Sequence, residues 1–486
     1  MSYSAGTSRR RRRQRGAVAI VFLLMLGGII GFIGFALDLS RVYNRRAELQ
    51  TAANVAALAS ARQLNGTAAG VDKALAQAHT AVEALRFQYN QRTISWNDAA
   101  LSFGASPGGP WTTAAAAKDV PAAMLYVQAD TAKLGADIGT LDLVFMRVVS
   151  AALASTAVAV KAVAGRSTVD VMPLAVCALS DIPYAKRANP GPPANEELVE
   201  FGFRRGVAYD LMQLNPDGVA AENFVIDPFS PPGTPGVAAN IAAAMVGPYA
   251  CAGQLGMPRV FGGTITVGRP FPLGQLYRQL NSRFDDYNGQ HCAYATAPPD
   301  ANIRAYTFGT DVPWMAVKPD RQGAQASTSG GRLWTVADPL PAPAGNTAPL
   351  YGPLWAYARA VPFASYVPGV AEPAAGYTPF APTAWSTLYA PGAPTAKSSY
   401  PGSASTPYKA GTNALAPASG PGVANRRVLN VALLACPVGG GATSTATVRG
   451  VAKFLMTVPA TDTVLYAEFG GLAPETSLAG AVELYP

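Results

Sequence analysis

"SRRRRRQRGAVAIVFLLMLGGIIGFIGFALDLSR", residues 8–41, sets an arginine cluster directly before an apolar run. Three kinds of segment begin this way: a cleaved secretory signal, a pilin precursor and a permanent membrane anchor. The run from Gly16 to Leu37 carries no charge. Its 22 residues reach about 33 Å as a helix, enough to cross a hydrocarbon core of about 30 Å. A secretory-signal core is about 7–15 residues long and ends at a small-residue cleavage site. This run is longer than that and continues without a break into helical sequence, so we read it as a transmembrane helix whose partner is the lipid bilayer. Gly27 and Gly31 stand at GxxxG spacing, a route to self-association through the membrane helix or stalk. Glycines are ordinary in membrane spans, and that plainer reading is preferred.

Arg9, Arg10, Arg11, Arg12, Arg13 and Arg15 are the topology signal. An excess of basic residues marks the cytoplasmic side, so the N-terminus is expected in the cytoplasm and everything after Asp38 outside. Arg41, Arg45 and Arg46 follow the run, but Asp38 and Glu48 accompany them. No second span is expected, because "VVSAALASTAVAVKAVAG" is poor in Leu and Ile and is interrupted by Lys161. The same arginines supply six of the net +8 charges. The body therefore has no basic stripe of the kind a nucleic-acid binder spreads over a folded face, and no nucleic-acid partner is expected.

Only 14% of the 486 residues are charged, and there are 48 Gly and 41 Pro. That composition points to turns and long irregular connections rather than a helical bundle. The length permits a sizeable core and more than one unit. Four cysteines, in a compartment that this topology makes oxidising, point to two disulfides with three pairings open. Cys177 and Cys436 lie in apolar strand-like runs, and Cys251 and Cys292 in loop-like surroundings, so Cys177–Cys436 and Cys251–Cys292 are favoured. No CxxC pair exists, against a zinc ribbon.

The fold class expected is α+β. Residues 1–16 form a basic cytoplasmic tail, and 17–64 a transmembrane and stalk helix about 70 Å long, of which roughly 40 Å projects beyond the bilayer. Asn65-Gly66 ends it. Residues 65–166 form a small α+β head that begins with an amphipathic helix near 71–89. Residues 167–486 form a second mixed α/β domain. Within it, about 338–422 is an irregular Pro/Gly-rich insertion that carries rings, among them Tyr351, Trp355, Trp385, Tyr389, Tyr400 and Tyr408. A pure linker lacks such rings; exposed, they would form an interaction or adhesive surface, and the preferred reading is that they are pegs that pin an extended excursion to the body.

Chemistry is sparse. His79 sits on the amphipathic helix, away from thiols and, as we read it, from acids. "RFDDYNGQHC" gathers Asp285, Asp286, His291 and Cys292, but a disulfide at Cys292 removes its sulfur as a ligand, and a solvated loop is preferred. No phosphate loop, dinucleotide fingerprint, GxSxG or HExxH is present. No catalytic residue, metal or cofactor is expected, and the chain is not read as an enzyme.

"RGAVAIVFLLMLGGIIGFIGFALDLSRVYNRRAELQTAANVAALASARQL", residues 15–64, resembles the N-terminal segment of TadE/TadG-like proteins of the tight-adherence (Flp) pilus assembly system. The Arg-Gly-Ala entry, the "ALDLSRVY" exit and the "RRAELQTAANVAALASARQL" helix carry the likeness. "NRRVLNVALLACPV" and "KFLMTVPATDTVLYAEFGGL" resemble the C-terminal part of TadG-like members. The resemblance implies a single-pass bacterial inner-membrane protein with a periplasmic bulk, working with other Tad/Flp assembly proteins or pseudopilins. Pilin-like members are cut after a glycine and carry a glutamate five residues on. Gly16 and Ala17 mark that processing site here, and the glutamate position is occupied by Val21. An ionisable group inside a membrane is costly and is kept for a reason, so its replacement by valine favours an anchor over a filament subunit. The von Willebrand-type metal motif of some TadG-like proteins is missing.

Overall fold

The structure is a computed structural model that describes residues 15–87, 91–166, 168–189, 194–230, 236–258, 263–309, 312–337, 344–370, 372–373, 375–402, 405–474 and 477–485. The chain divides into two compact units, 1–165 with 482–486, and 166–481.

In the first unit, α1 (Arg15–Ala61) is one continuous helix of 47 residues. Proline is absent from it, and its second half is dominated by Ala, Leu, Arg and Gln, the strongest helix formers. It stops three residues earlier than Leu64. Gly66 then takes φ 77°, and the Thr67 side chain accepts from Gly70 N to cap α2 (Ala68–Glu83). The two halves of α1 have opposite surroundings. Up to Leu39 the large side chains are exposed, with Leu24 at 72% and Phe32 at 80%. From Leu49 onward, Ala52, Ala53, Ala56, Ala57 and Ala61 line one face at helical spacing and are buried. They pack with Val71, Ala74 and Ala78 of α2 and with Val127, Ala129, Ala162 and Ala164 of a sheet. This corrects the expectation of a projecting stalk: the second half of the helix is the core helix of the head, because an alanine face lets neighbours approach closely.

That sheet has four strands. β1 (Leu101–Gly104) pairs with β2 (Tyr126–Asp130). Further along come the short hairpin strands β3 (Thr140–Asp142) and β4 (Ser155–Ala157), joined through α3 (Met146–Val149). β5 (Lys161–Arg166) pairs with β2, and the strand Val482–Tyr485 flanks β5. The residues from 482 onward therefore belong with the first unit rather than with the 167–486 domain expected from sequence; the Tyr485 ring meets Tyr126 edge-on at 5.2 Å.

The second unit is built on β6 (Leu174–Cys177), β7 (Ala208–Asp210), β8 (Asn223–Ile226), β9 (Thr264–Gly268), β10 (Val428–Leu434), β11 (Thr443–Met456) and β12 (Tyr466–Leu472). The pairings β11–β9–β8–β6–β10–β11 close a five-stranded ring, and β12 and β7 extend from β11. Alternate residues feed two cores, Leu174 and Val176 one, Ala175 and Cys177 the other. Burial on both faces explains why β6, and all but Asn430 of β10, read as apolar runs. The stretch 168–177 holds two strands rather than one, Thr168–Val171 and β6. Pro173 has no N–H for a ladder, and Thr168–Val171 pairs with Leu255–Pro258 instead. A helix at Ala243–Ala252 puts Cys251 in its last turn rather than in a loop. Cys177 pairs with Cys436 and Cys251 with Cys292, both with Cα atoms 5.6 Å apart.

The insertion has almost no ladder of its own, so side chains hold it. Trp355, Trp385, Tyr351 and Tyr389 are buried. Glu468 of β12 accepts the N–H groups of Ala356, Tyr357 and Ala358 at 2.7–2.8 Å. Arg204 pairs with Glu197 at 2.7 Å, both fully buried, and donates to the carbonyls of Leu388 and Ala337. Burial opposes the Arg204 charge, but Glu197, Tyr351 and Tyr389 together outweigh it and hold the guanidinium well above its usual range. Arg205 joins Glu200 to Glu372 of the insertion.

Two outcomes follow. Ala56→Leu overfills a fully buried face and is expected to cost about 1–3 kcal/mol. Ala47→Leu on the exposed face is expected to stay within about 0.5 kcal/mol, compared by urea titration of the detergent-solubilised chain. Burial raises the Glu468 pKa from 4.5 to about 7, against the pull of its three N–H donors. Between those values the folded form holds a proton that the unfolded form has lost, so this residue's contribution is full below pH 4.5 and falls as pH rises through 7. The difference in urea midpoint between wild type and Glu468→Gln, measured across that window, is expected to reveal this falling limb; a flat difference would contradict it.

Candidate functional site

The segment of α1 that leaves the apolar run carries a row of polar side chains on the face that meets the head. Asp38, 2% exposed, directs its carboxylate at the turn before α3: Oδ1 accepts from Val144 N at 3.0 Å, and Oδ2 from Phe145 N and Met146 N at 2.8 Å. One side chain thereby satisfies three N–H groups that the start of a helical turn leaves without internal acceptors. Arg41 Nη1 donates to Asp142 O at 3.2 Å. Arg45, 4% exposed, donates to Ile138 O at 2.9 Å, lies over the Phe87 ring at 4.8 Å and faces Glu48 at 3.8 Å. Burial lowers its pKa, and Glu48 resists that shift. Gln50 reaches Lys161 O at 3.2 Å. Further on, the buried Ser60 hydroxyl donates to Ala74 O at 3.0 Å. Each of these groups bonds main chain of the same unit, so the row acts as a clamp. Its polar atoms are engaged with main-chain groups, and these bonds hold the head at a fixed rotation on the helix.

Sequence reasoning treated Arg41 and Arg45 only as charges in a topology count and missed the clamp. The signal available was spacing: residues 38, 41 and 45 recur at three and four, as do the buried alanines beyond them.

The other named residues do not converge. Arg9, Arg10, Arg11, Arg12 and Arg13 lie outside the described residues. Arg15 opens α1, with Gly16 and Ala17 in its first turn, and Val21 is 52% exposed on the apolar stretch. His79 does have an acidic neighbour, Glu83, at 3.3 Å one turn on, a correction that i,i+4 spacing explains. Asp285 accepts from Ala418 N and Ser419 N, Asp286 accepts from Asn288, and Cys292 is in its disulfide, so their polar atoms serve loop structure. Among the described residues one trio has metal-like proximity: Cys177, Glu222 and Cys436, with ligand atoms within 4.8 Å. The two sulfurs are bonded to each other, which leaves one carboxylate, and that donor set does not suit a metal.

Asp38→Ala leaves the three N–H groups without their acceptor, an expected loss of about 1.5–3 kcal/mol. Hydrogen exchange at residues 144–146 should then quicken by roughly 10- to 100-fold, while the amides of the second unit keep their protection.

Searches among curated proteins and among solved structures find no match. A family model does match: Tad, described as putative Flp pilus-assembly TadE/G-like, over residues 16–63. The match begins at the first glycine of α1, spans the exposed apolar half, the clamp and the buried alanine face, and ends two residues beyond the helix. Over residues 16–63, the chain is thus similar to the putative Flp pilus-assembly TadE/G-like family.

Proposed function

We propose that the chain is a non-enzymatic component of a Flp/Tad pilus assembly and secretion apparatus, anchored in the bacterial inner membrane by α1 with its bulk in the periplasm. The observation that carries this reading is the coincidence of the Tad match with a helix whose first half is apolar and exposed and whose second half is a buried core element. A helix with two such halves suits a bilayer on one side and a folded head on the other. Two disulfides fit an oxidising compartment. The inward row of Arg204, Arg205 and Glu468 in the second unit is spent on structure, which leaves assembly contacts, with other pilus proteins or pseudopilins, as the role of the surface.

Edman sequencing of the protein extracted from membranes tests the anchor. The expected N-terminus retains the arginine cluster; a start at Ala17 would convert the protein into a processed minor pilin. Deleting the gene should reduce surface pili, and an unaffected pilus would remove the assembly role.

A further inference from the structure

We infer that the tip of the β3–β4 hairpin, residues 143–153, is a second membrane contact that lies in the outer-facing interface of the same bilayer that α1 crosses; this rests on the anchor reading above. The sequence there is "LVFMRVVSAAL", with a single charge at Arg147. Leu143 is buried, but five large apolar side chains beyond it are exposed: Val148 at 83%, Val149 78%, Val144 51%, Leu153 40% and Phe145 39%. A cluster of large apolar groups on a surface loop marks a surface meant to be covered.

Its position identifies the cover. Phe145 packs on Gly34, so closely that a Cβ there would stand 2.7 Å from ring carbons. Gly34 lies one helical turn inside the apolar run, about 5 Å from the level of Leu37. Phe145 therefore shares the depth of the last turn of the span, and its exposed face continues the exposed surface of Ile33, Phe35 and Leu37. The Asp38 carboxylate, bonded to three consecutive N–H groups of the tip, fixes that depth.

The backbone is also prepared for a poorly hydrated place, where each unsatisfied polar group is costly. Besides the three N–H groups taken by Asp38, Leu143 N donates to Ala154 O, Val148 N to Phe145 O, Ser150 N to Met146 O, Ala152 N to the Ser150 hydroxyl and Leu153 N to Ser150 O. Arg147 is exposed, and its long stem lets the guanidinium reach headgroups while the valines sit deeper. A lipid surface is the occupant that matches all of this: apolar side chains, main-chain N–H groups that are mostly bonded, one basic residue and direct continuity with the span.

The test uses full-length protein in vesicles of phosphatidylethanolamine and phosphatidylglycerol. No free cysteine exists, so an added one takes an NBD fluorophore alone. Three variants are compared: Val149→Cys on the tip, Leu24→Cys in the span and Gln77→Cys on the exposed face of α2. The expected result is a blue-shifted Val149→Cys emission, quenched by nitroxide on the upper acyl chain and spared by iodide, with Gln77→Cys behaving oppositely. Iodide quenching of Val149→Cys while Leu24→Cys responds only to lipid would overturn the inference and leave the anchor standing. Protection of Val149→Cys from both quenchers would mean that protein, such as a second copy, covers the tip, and would overturn it too. Iodide quenching of Leu24→Cys would remove the anchor itself and the inference with it.

Discussion

An α-helix keeps its hydrogen bonds inside itself, and the first unit depends on that property being uninterrupted from Arg15 to Ala61. Because no proline or cap falls at the boundary between Leu37 and Asp38, one rigid rod supplies both the apolar exposed surface and the middle of a packed core. Rotation of the rod is then a shared variable. Turning it to improve one half would misplace the other, and the clamp of Asp38, Arg41 and Arg45 settles the choice by engaging main-chain groups of residues 138–146. Polar side chains at the end of an apolar run usually mark where water begins; here they also define which way the head faces on its axis.

The second unit solves a different problem. Its ring of strands closes on itself, which removes most of the open edges that invite misassociation, but the insertion between β9 and β10 brings a long irregular backbone that must be satisfied without a ladder. Buried charges do this. Glu468 takes three N–H groups, and Arg204 offers its donors to two carbonyls while Glu197 balances it. A buried ion pair seldom adds much net stability compared with apolar residues of the same shape, whereas breaking it is costly. The network thus specifies one path for the insertion more than it strengthens the unit.

Legibility in the sequence followed the physics. The apolar run, the helix beyond it and the strand-like runs at Cys177 and Cys436 could be read, because each has a period or length that one kind of environment imposes. The clamp could not, since Asp38 and the arginines beside a membrane run have an obvious alternative explanation in charge topology. The burial of the second half of α1 was also missed: alanines are equally at home on a solvated helix and in a tight core, and only the partner face of α2 decides between them. Pro173 was visible but its effect, splitting 168–177 between two sheets, depends on where each half finds a free neighbour. The rings of the insertion were readable as pegs; the arginines and glutamates that hold its backbone were not, because a charged residue in a strand reads as a solvent-facing one.

The strand Val482–Tyr485 gives the chain a particular order of completion. The helix α1 and strands β1–β5 leave the ribosome before any part of the second unit, yet the edge of β5 waits for a partner until the whole of 166–481 has been made. The segment that is made first is therefore finished last. Through that interval β5 offers unpaired main-chain groups to any passing strand, and a product truncated before residue 482 keeps them for good.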